Sequence, residues 1–149
     1  MQLTSEIKDS IQKSVLCWLA TASDENIPNV SPKEIFNYFE NAIIVANIAS
    51  PQTIKNIKQN NKVCISFIDI LKQKGFQLKG TAEIINASYS EFYKMKTILE
   101  RMTHGKFPFT LIIKITVKET KQIIAPKYLL YPETTEAEQI ECAKKTYGL

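Results

Sequence analysis

Two Ser-Pro pairs carry the residues best suited to chemistry. The first lies in PNVSPKEIF, residues 28–36, where Lys33 follows Ser31 and Pro32. The second lies in IIVANIASPQTIKN, residues 43–56, where Gln52, Thr53 and Asn56 follow Ser50 and Pro51. Hydroxyls, amides and an ammonium group beside apolar runs could cradle an anion. Ser50 suits an N-cap and Pro51 the first helical position, so a short helix is expected to begin there. The free N–H groups and positive dipole end of that helix would favour negative charge. Ser50 and Thr53 add hydroxyl donors, and Lys33 or Lys55 adds charge. Ser31 and Lys33 reach the same spot if the two flanking strands are neighbours. The same residues also fit ordinary turn and helix-cap chemistry, and both readings stand at this point.

Other chemistries lack their residues. The four glycines, Gly75, Gly80, Gly105 and Gly148, spell neither GxGxxG nor GxxxxGK[ST]. GxSxG and HExxH are also absent. His104 is the one histidine and precedes GKFPF in an expected loop, so neither a histidine metal site nor a Cys/His pair is expected. The acids fall in turns and on helix surfaces, with no pair placed for glycoside chemistry. Three cysteines make an odd number without CxxC spacing. Cys17 and Cys64 sit in apolar runs and read as reduced core thiols. Trp18, in the same run as Cys17, is likewise expected in the core.

The net charge is +4, and all but one of the nineteen basic residues are lysines, scattered among acids. Without an arginine-bearing face or a recognisable motif, nucleic acid is not an expected partner. A mildly basic surface still suits a phosphate-bearing small molecule. No apolar stretch is long enough to span a bilayer, so no membrane association is expected. The opening MQLTSEIKDS has acids and no apolar stretch, which predicts no signal peptide and a cytoplasmic location.

The elements that must position these residues follow from periodicity. A length of 149 residues suits one domain, residues 1–149. Ile7 and Ile11 lie four apart, giving a short helix over residues 4–14 capped by Thr4 or Ser5. Strands are expected at 15–22, 30–39, 43–47, 62–70 and 76–85, with a long bent sixth over 109–124. Phe76, Leu78, Gly80, Ala82 and Ile84 share one face of the fifth, where Gly80 would permit a close backbone approach. Phe92, Met95, Ile98, Leu99 and Met102 make a helical stripe within 87–103. Thr135 and Glu138 form a possible capping box for a tail helix. Six strands with few helices, not strictly alternating, predict a mainly β fold: a six-stranded antiparallel barrel with flanking helices.

The order of motifs resembles a known family. VLCWLATASDENIPNVSP resembles the first hairpin of the pyridoxamine 5′-phosphate oxidase-like, FMN-binding split-barrel superfamily. IASPQTIKNIKQNNKVCISFID looks like its next unit, and GFQLKGTAEI resembles the strand that follows. The likeness runs in order over about residues 10 to 86. It implies a Greek-key split barrel and a homodimer with FMN at the subunit interface. The family's phosphate side falls on Lys33, Ser50, Gln52 and Thr53, with Asn56 in the same helix. The ring-facing backbone falls on Val30, Ser31, Pro32 and Glu34, and on Ala46, Asn47, Ile48 and Ala49. The second subunit would contribute near Gln73, Lys74 and Gly75. Two departures stand out. Pro51 and Gln52 occupy places where typical members carry Arg or Lys after the Ser. The chain ends ECAKKTYGL, without the Arg-rich, Trp-bearing segment that helps hold pyridoxine phosphate. The resemblance therefore implies an FMN-dependent oxidoreductase with a different small-molecule redox substrate and no catalytic residue singled out. A non-catalytic flavin carrier and a flavin-free binding module on the same barrel are the alternatives.

Overall fold

The computed structural model describes residues 1–149. One antiparallel sheet of seven strands dominates: β1 (Cys17–Ala22), β2 (Pro28–Lys33), β3 (Phe36–Phe39), β4 (Ala42–Ala46), β5 (Lys62–Asp69), β6 (Lys74–Ile85) and β7 (Ile112–Ile124). Their order is β2-β1-β5-β6-β7-β4-β3. Five helices flank it: α1 (Ser5–Lys13), α2 (Pro51–Gln59), α3 (Phe92–Thr103), α4 (Pro126–Leu130) and α5 (Glu136–Tyr147).

The count of seven strands corrects the expected six. The single strand expected over 30–39 is two, broken at Glu34 and Ile35. β2 pairs with β1 at one edge of the sheet, whereas β3 pairs with β4 at the other. Local alternation cannot reveal this, because both halves read alike and differ only in their partners. The break also shapes the sheet. Seven flat strands at about 4.8 Å spacing would put the edges roughly 29 Å apart. The link from Lys33 to Phe36 can span only about 11 Å. The sheet must therefore curl until its edges approach, and the Ala46 N–H, which donates to the Ile35 carbonyl (3.0 Å), carries the β3–β4 ladder up to the link.

β6 and β7 supply further curvature. Their register shifts between Lys79 and Gly80, so that Lys79 faces Glu119 and Gly80 faces Val117. Lys118 is the extra residue of a bulge. A Cβ on Gly80 would stand 2.1 Å from the Thr116 carbonyl oxygen, so only glycine fits the bend.

Two cores lie on opposite faces of the sheet. Leu19, Ile43, Val45, Ile65, Leu78, Ile113 and Ile115 fill the concave side with Ile7 and Ile11 of α1 and Ile54 and Ile57 of α2. Ile44, Ala46 and Ile112 face outward onto Phe92, Met95 and Leu99 of α3. β4 is thus buried on both faces, which accounts for its unbroken apolar run. Each fully buried Leu or Ile contributes roughly 1.5–3 kcal/mol.

α1 is capped by the Thr4 hydroxyl, which accepts from the Ile7 N–H (3.2 Å). The Thr135–Glu138 capping box is present on α5. α3 begins at Phe92 rather than at residue 87, after a turn. Trp18 corrects another expectation: it is 49% exposed. β1 alternates, and Cys17 and Leu19 take the inward positions, which leaves Trp18 on the convex face. Cys17 is buried, Cys64 half-buried and Cys142 exposed, and all three are free thiols. No helix is long and apolar enough to cross a membrane.

Candidate functional site

The inward face of β2 carries Ser31 and Lys33, and its other face carries Val30 and Pro32. Pairing places Ser31 beside Leu19 and Lys33 beside Cys17, so a lysine is aimed toward the core side of the sheet. Lys33 is 5% exposed. No ion pair of the chain includes it. Its ammonium group donates to the Ser50 hydroxyl. Burial pushes the Lys33 pKa down, and the neighbouring Cys17 thiol partly opposes that. Burial also pushes the Cys17 thiol up to about 12, although Lys33 pulls the other way.

Ser50 stands at the N-cap of α2, but its side chain does not cap the helix. Its hydroxyl takes the Lys33 ammonium and lies 3.4 Å from the Ile48 carbonyl. The first-turn N–H groups of α2 therefore keep no side-chain cap. Thr53, almost fully buried in that turn, shares a hydrogen bond with Ser31 across 3.4 Å. Ser31, Lys33, Ser50 and Thr53 thus converge at one helix start, and of the two lysines considered it is Lys33 that joins them. Lys55 is exposed on the same helix. The chain enters α2 through Ala49, whose φ of 50° is left-handed. Such a backbone costs about 1–3 kcal/mol and is found at ligand clamps.

Gln52 and Asn56 belong to a second hydrogen-bond chain. Gln52 donates to Asn56 Oδ1 (2.8 Å), and Asn56 Nδ2 donates to the Thr21 hydroxyl (2.9 Å). Both Asn56 and Thr21 are buried, so this link ties α2 to β1 and satisfies polar groups inside the core.

Beside the Lys33 cluster lies a cavity of about 240 Å³ lined by Pro32, Lys33, Glu34, Ile35, Ala46, Ile48 and Phe107. It offers a cation at one side and mostly apolar walls elsewhere. Asn47, between two of its residues, holds a buried side-chain oxygen without a hydrogen-bond partner. Val30 and Ala49 are exposed and do not line it.

Gln73, Lys74 and Gly75 are not brought to this cluster within one chain. Lys74 and Gly75 line a separate polar cavity with Glu6, Lys13, Lys72 and Glu136. Glu136 of α5 pairs with Lys74 (3.1 Å) and Lys72 (3.4 Å). Hydrogen bonding from Lys74, with the charge of both lysines, holds the Glu136 carboxyl below the usual range. Tyr128 of α4 packs its ring under Lys74 (4.5 Å) and donates to the Lys72 carbonyl (2.8 Å). The β5–β6 turn is therefore clasped by the C-terminal helices.

The family model described as pyridoxamine 5′-phosphate oxidase matches residues 3–124. The chain belongs to that family. No curated protein sequence matches it significantly. Among solved structures, this pyridoxamine 5′-phosphate oxidase family member is similar to HupZ of Group A Streptococcus, with 26% identity and a TM-score of 0.67, over 80% of this chain and 92% of that one. General Stress Protein 26 of Bacillus anthracis shares the fold at 21% identity and a TM-score of 0.63, over 83% of this chain and 95% of that one. An FMN-binding protein from Syntrophomonas wolfei does so at 16% identity and a TM-score of 0.65, over 80% and 88%. The family match stops near the end of β7, so the clasp by α4 and α5 lies outside it.

Sequence reasoning missed Thr21, Ile35 and Phe107. For Phe107 the one sequence cue is FPF, residues 107–109, whose two rings would share a face in a strand, so alternation does not separate them. Phe109 is buried and Phe107 is 54% exposed.

Proposed function

We propose that this chain binds FMN and works as an FMN-dependent oxidoreductase on a small-molecule substrate other than pyridoxine phosphate. The observation that carries the reading is Lys33: a buried cation with no carboxylate partner, joined to a serine at an uncapped helix start. A phosphate dianion supplies the missing countercharge, and the site's donors fit it. Lys33, Ser31, Ser50, Thr53 and the first-turn N–H groups of α2 would hold the phosphate. Segments 30–34 and 46–49 would bound the ring, and the orphaned Asn47 oxygen offers an acceptor to a ligand N–H. When bound, FMN supplies the electron or hydride chemistry, while the chain binds, orients and shields it. Because Pro51 and Gln52 replace the expected cations, the phosphate meets fewer charges than in typical members.

The functional unit in this reading is a homodimer with FMN at the interface and the curled sheet closed as a split barrel. The cavity of about 240 Å³ is smaller than usual small-molecule pockets, roughly 300–1,000 Å³, so one chain would enclose only part of a flavin. The convex face of β1 and β2 also presents Trp18 and Val30, 49% and 58% exposed, beside Pro32 and Ala20. Such an apolar patch suits a second copy.

Glu34 and Lys33 are the ionisable side chains lining the cavity. A flavin carrier would need no more, and this keeps carriage as the second reading. Turnover with a reduced nicotinamide separates carriage from catalysis. The first test is the visible spectrum after FMN addition and gel filtration. Retention of about one flavin per chain supports the proposal, and a colourless protein overturns it.

A further inference from the structure

We infer that Phe107 is an aromatic wall of the ring pocket, a cofactor-binding residue supplied by the loop between α3 and β7. The inference rests on the FMN reading above and names a residue that the family resemblance did not reach. Phe107 lines the same cavity as Lys33, Ala46 and Ile48, although it comes from a distant part of the chain.

The loop is built to hold it there. α3 ends with His104 in the left-handed region (φ 51°) and Gly105 at φ 72°, which turns the chain sharply. The buried Thr103 hydroxyl accepts from the Gly105 N–H (3.1 Å), and the Thr103 carbonyl accepts from the Lys106 N–H (3.0 Å). Phe109, two residues on, is anchored in the core with Ala46, Met95 and Leu99. Pro108 between them fixes φ and stiffens the step. An anchored ring, a rigid residue and an exposed ring in succession place Phe107 over the cavity mouth without burying it. Apart from Lys33 and Glu34, its surroundings there, Pro32, Ile35, Ala46 and Ile48, are apolar. A planar heteroaromatic ring whose phosphate sits at Lys33 would meet the Phe107 face or edge.

The test uses the full chain, with FMN and riboflavin as probes in equilibrium fluorescence titrations. Phe107→Ala should weaken both by a similar factor, about two- to tenfold, the range of one aromatic pair. Phe107→Tyr should restore both. Lys33→Met should weaken FMN and leave riboflavin unchanged. Sedimentation and thermal melts of Phe107→Ala should match wild type, since the side chain is largely exposed. A Phe107→Ala chain that binds both probes as tightly as wild type overturns the inference and leaves the FMN reading intact. Loss of flavin together with dissociation of a dimer also overturns it, because Phe107 would then act at the subunit contact. A wild-type chain that takes up neither probe overturns the FMN reading and this inference together.

Discussion

Replacing Lys33 by Met should stabilise the flavin-free chain while weakening its hold on FMN. Lys33 is 5% exposed, and its ammonium group is joined to one hydroxyl and has no ion-pair partner. Exchanging a buried charge for an apolar side chain of similar length ranges from neutral to stabilising by about 1–4 kcal/mol. Ser50 keeps its contact with the Ile48 carbonyl, so its hydroxyl is not stranded. A charged hydrogen bond to the phosphate is worth about 1.5–3 kcal/mol, so FMN affinity should fall roughly 10- to 150-fold. Urea melts of the flavin-free chain read the first effect, and FMN titrations with riboflavin as control read the second. The pH dependence gives an independent sign. Burial lowers the folded pKa of Lys33 below its ordinary 10.5. Between the lowered value and 10.5 the unfolded chain binds more protons, so this group makes stability rise with pH across that window. Lys33→Met should lack that rise. Phosphate favours the charged amine, so wild-type FMN affinity should fall as pH rises through the lowered pKa. A Lys33→Met chain that is less stable and binds FMN unchanged would refute the argument, leaving Lys33 a structural strut.

Ser50→Ala with Thr53→Val should weaken FMN by roughly 30-fold, at about 1 kcal/mol per hydrogen bond, and leave riboflavin binding intact. Equal losses for both flavins would move the phosphate elsewhere. Gly80→Ala should destabilise the fold by about 1–3 kcal/mol or more, since its Cβ would meet the Thr116 oxygen at 2.1 Å. A urea midpoint close to wild type would show that the β6–β7 bulge relaxes freely. Burial raises the Cys17 thiol from 9.0 to about 12. Above pH 9 the unfolded chain releases a proton that the folded chain keeps, so stability should fall as pH climbs toward 12. Cys17→Ala should flatten that fall, and a difference curve without slope would contradict the thiol's buried state.

The elements legible in the sequence are those whose cause is local. Ile7 and Ile11 specify a helix face by their spacing, and the Thr135–Glu138 pair specifies a helix start within one turn. Phe76, Leu78 and Ala82 give the inward face of β6 by alternation. Ser50 and Pro51 mark the start of α2, yet the use of Ser50 was not legible. A serine that could cap its own helix instead takes a lysine seventeen residues away, because strand pairing carries Lys33 there. Ser31 and Thr53 meet for the same reason.

What the tertiary structure decided is long-range in every case. The break at Glu34–Ile35 exists because β2 and β3 pair at opposite edges of one sheet, and the two-residue link forces that sheet to curl. Trp18 is exposed because Cys17 and Leu19 claim the concave face, a choice of face that alternation alone leaves open. Phe107 reaches the cavity through a loop anchored in the second core. Spacing along the chain determines which residues share a face. Only the closing of the sheet, which trades chain entropy for buried apolar surface, determines which faces meet.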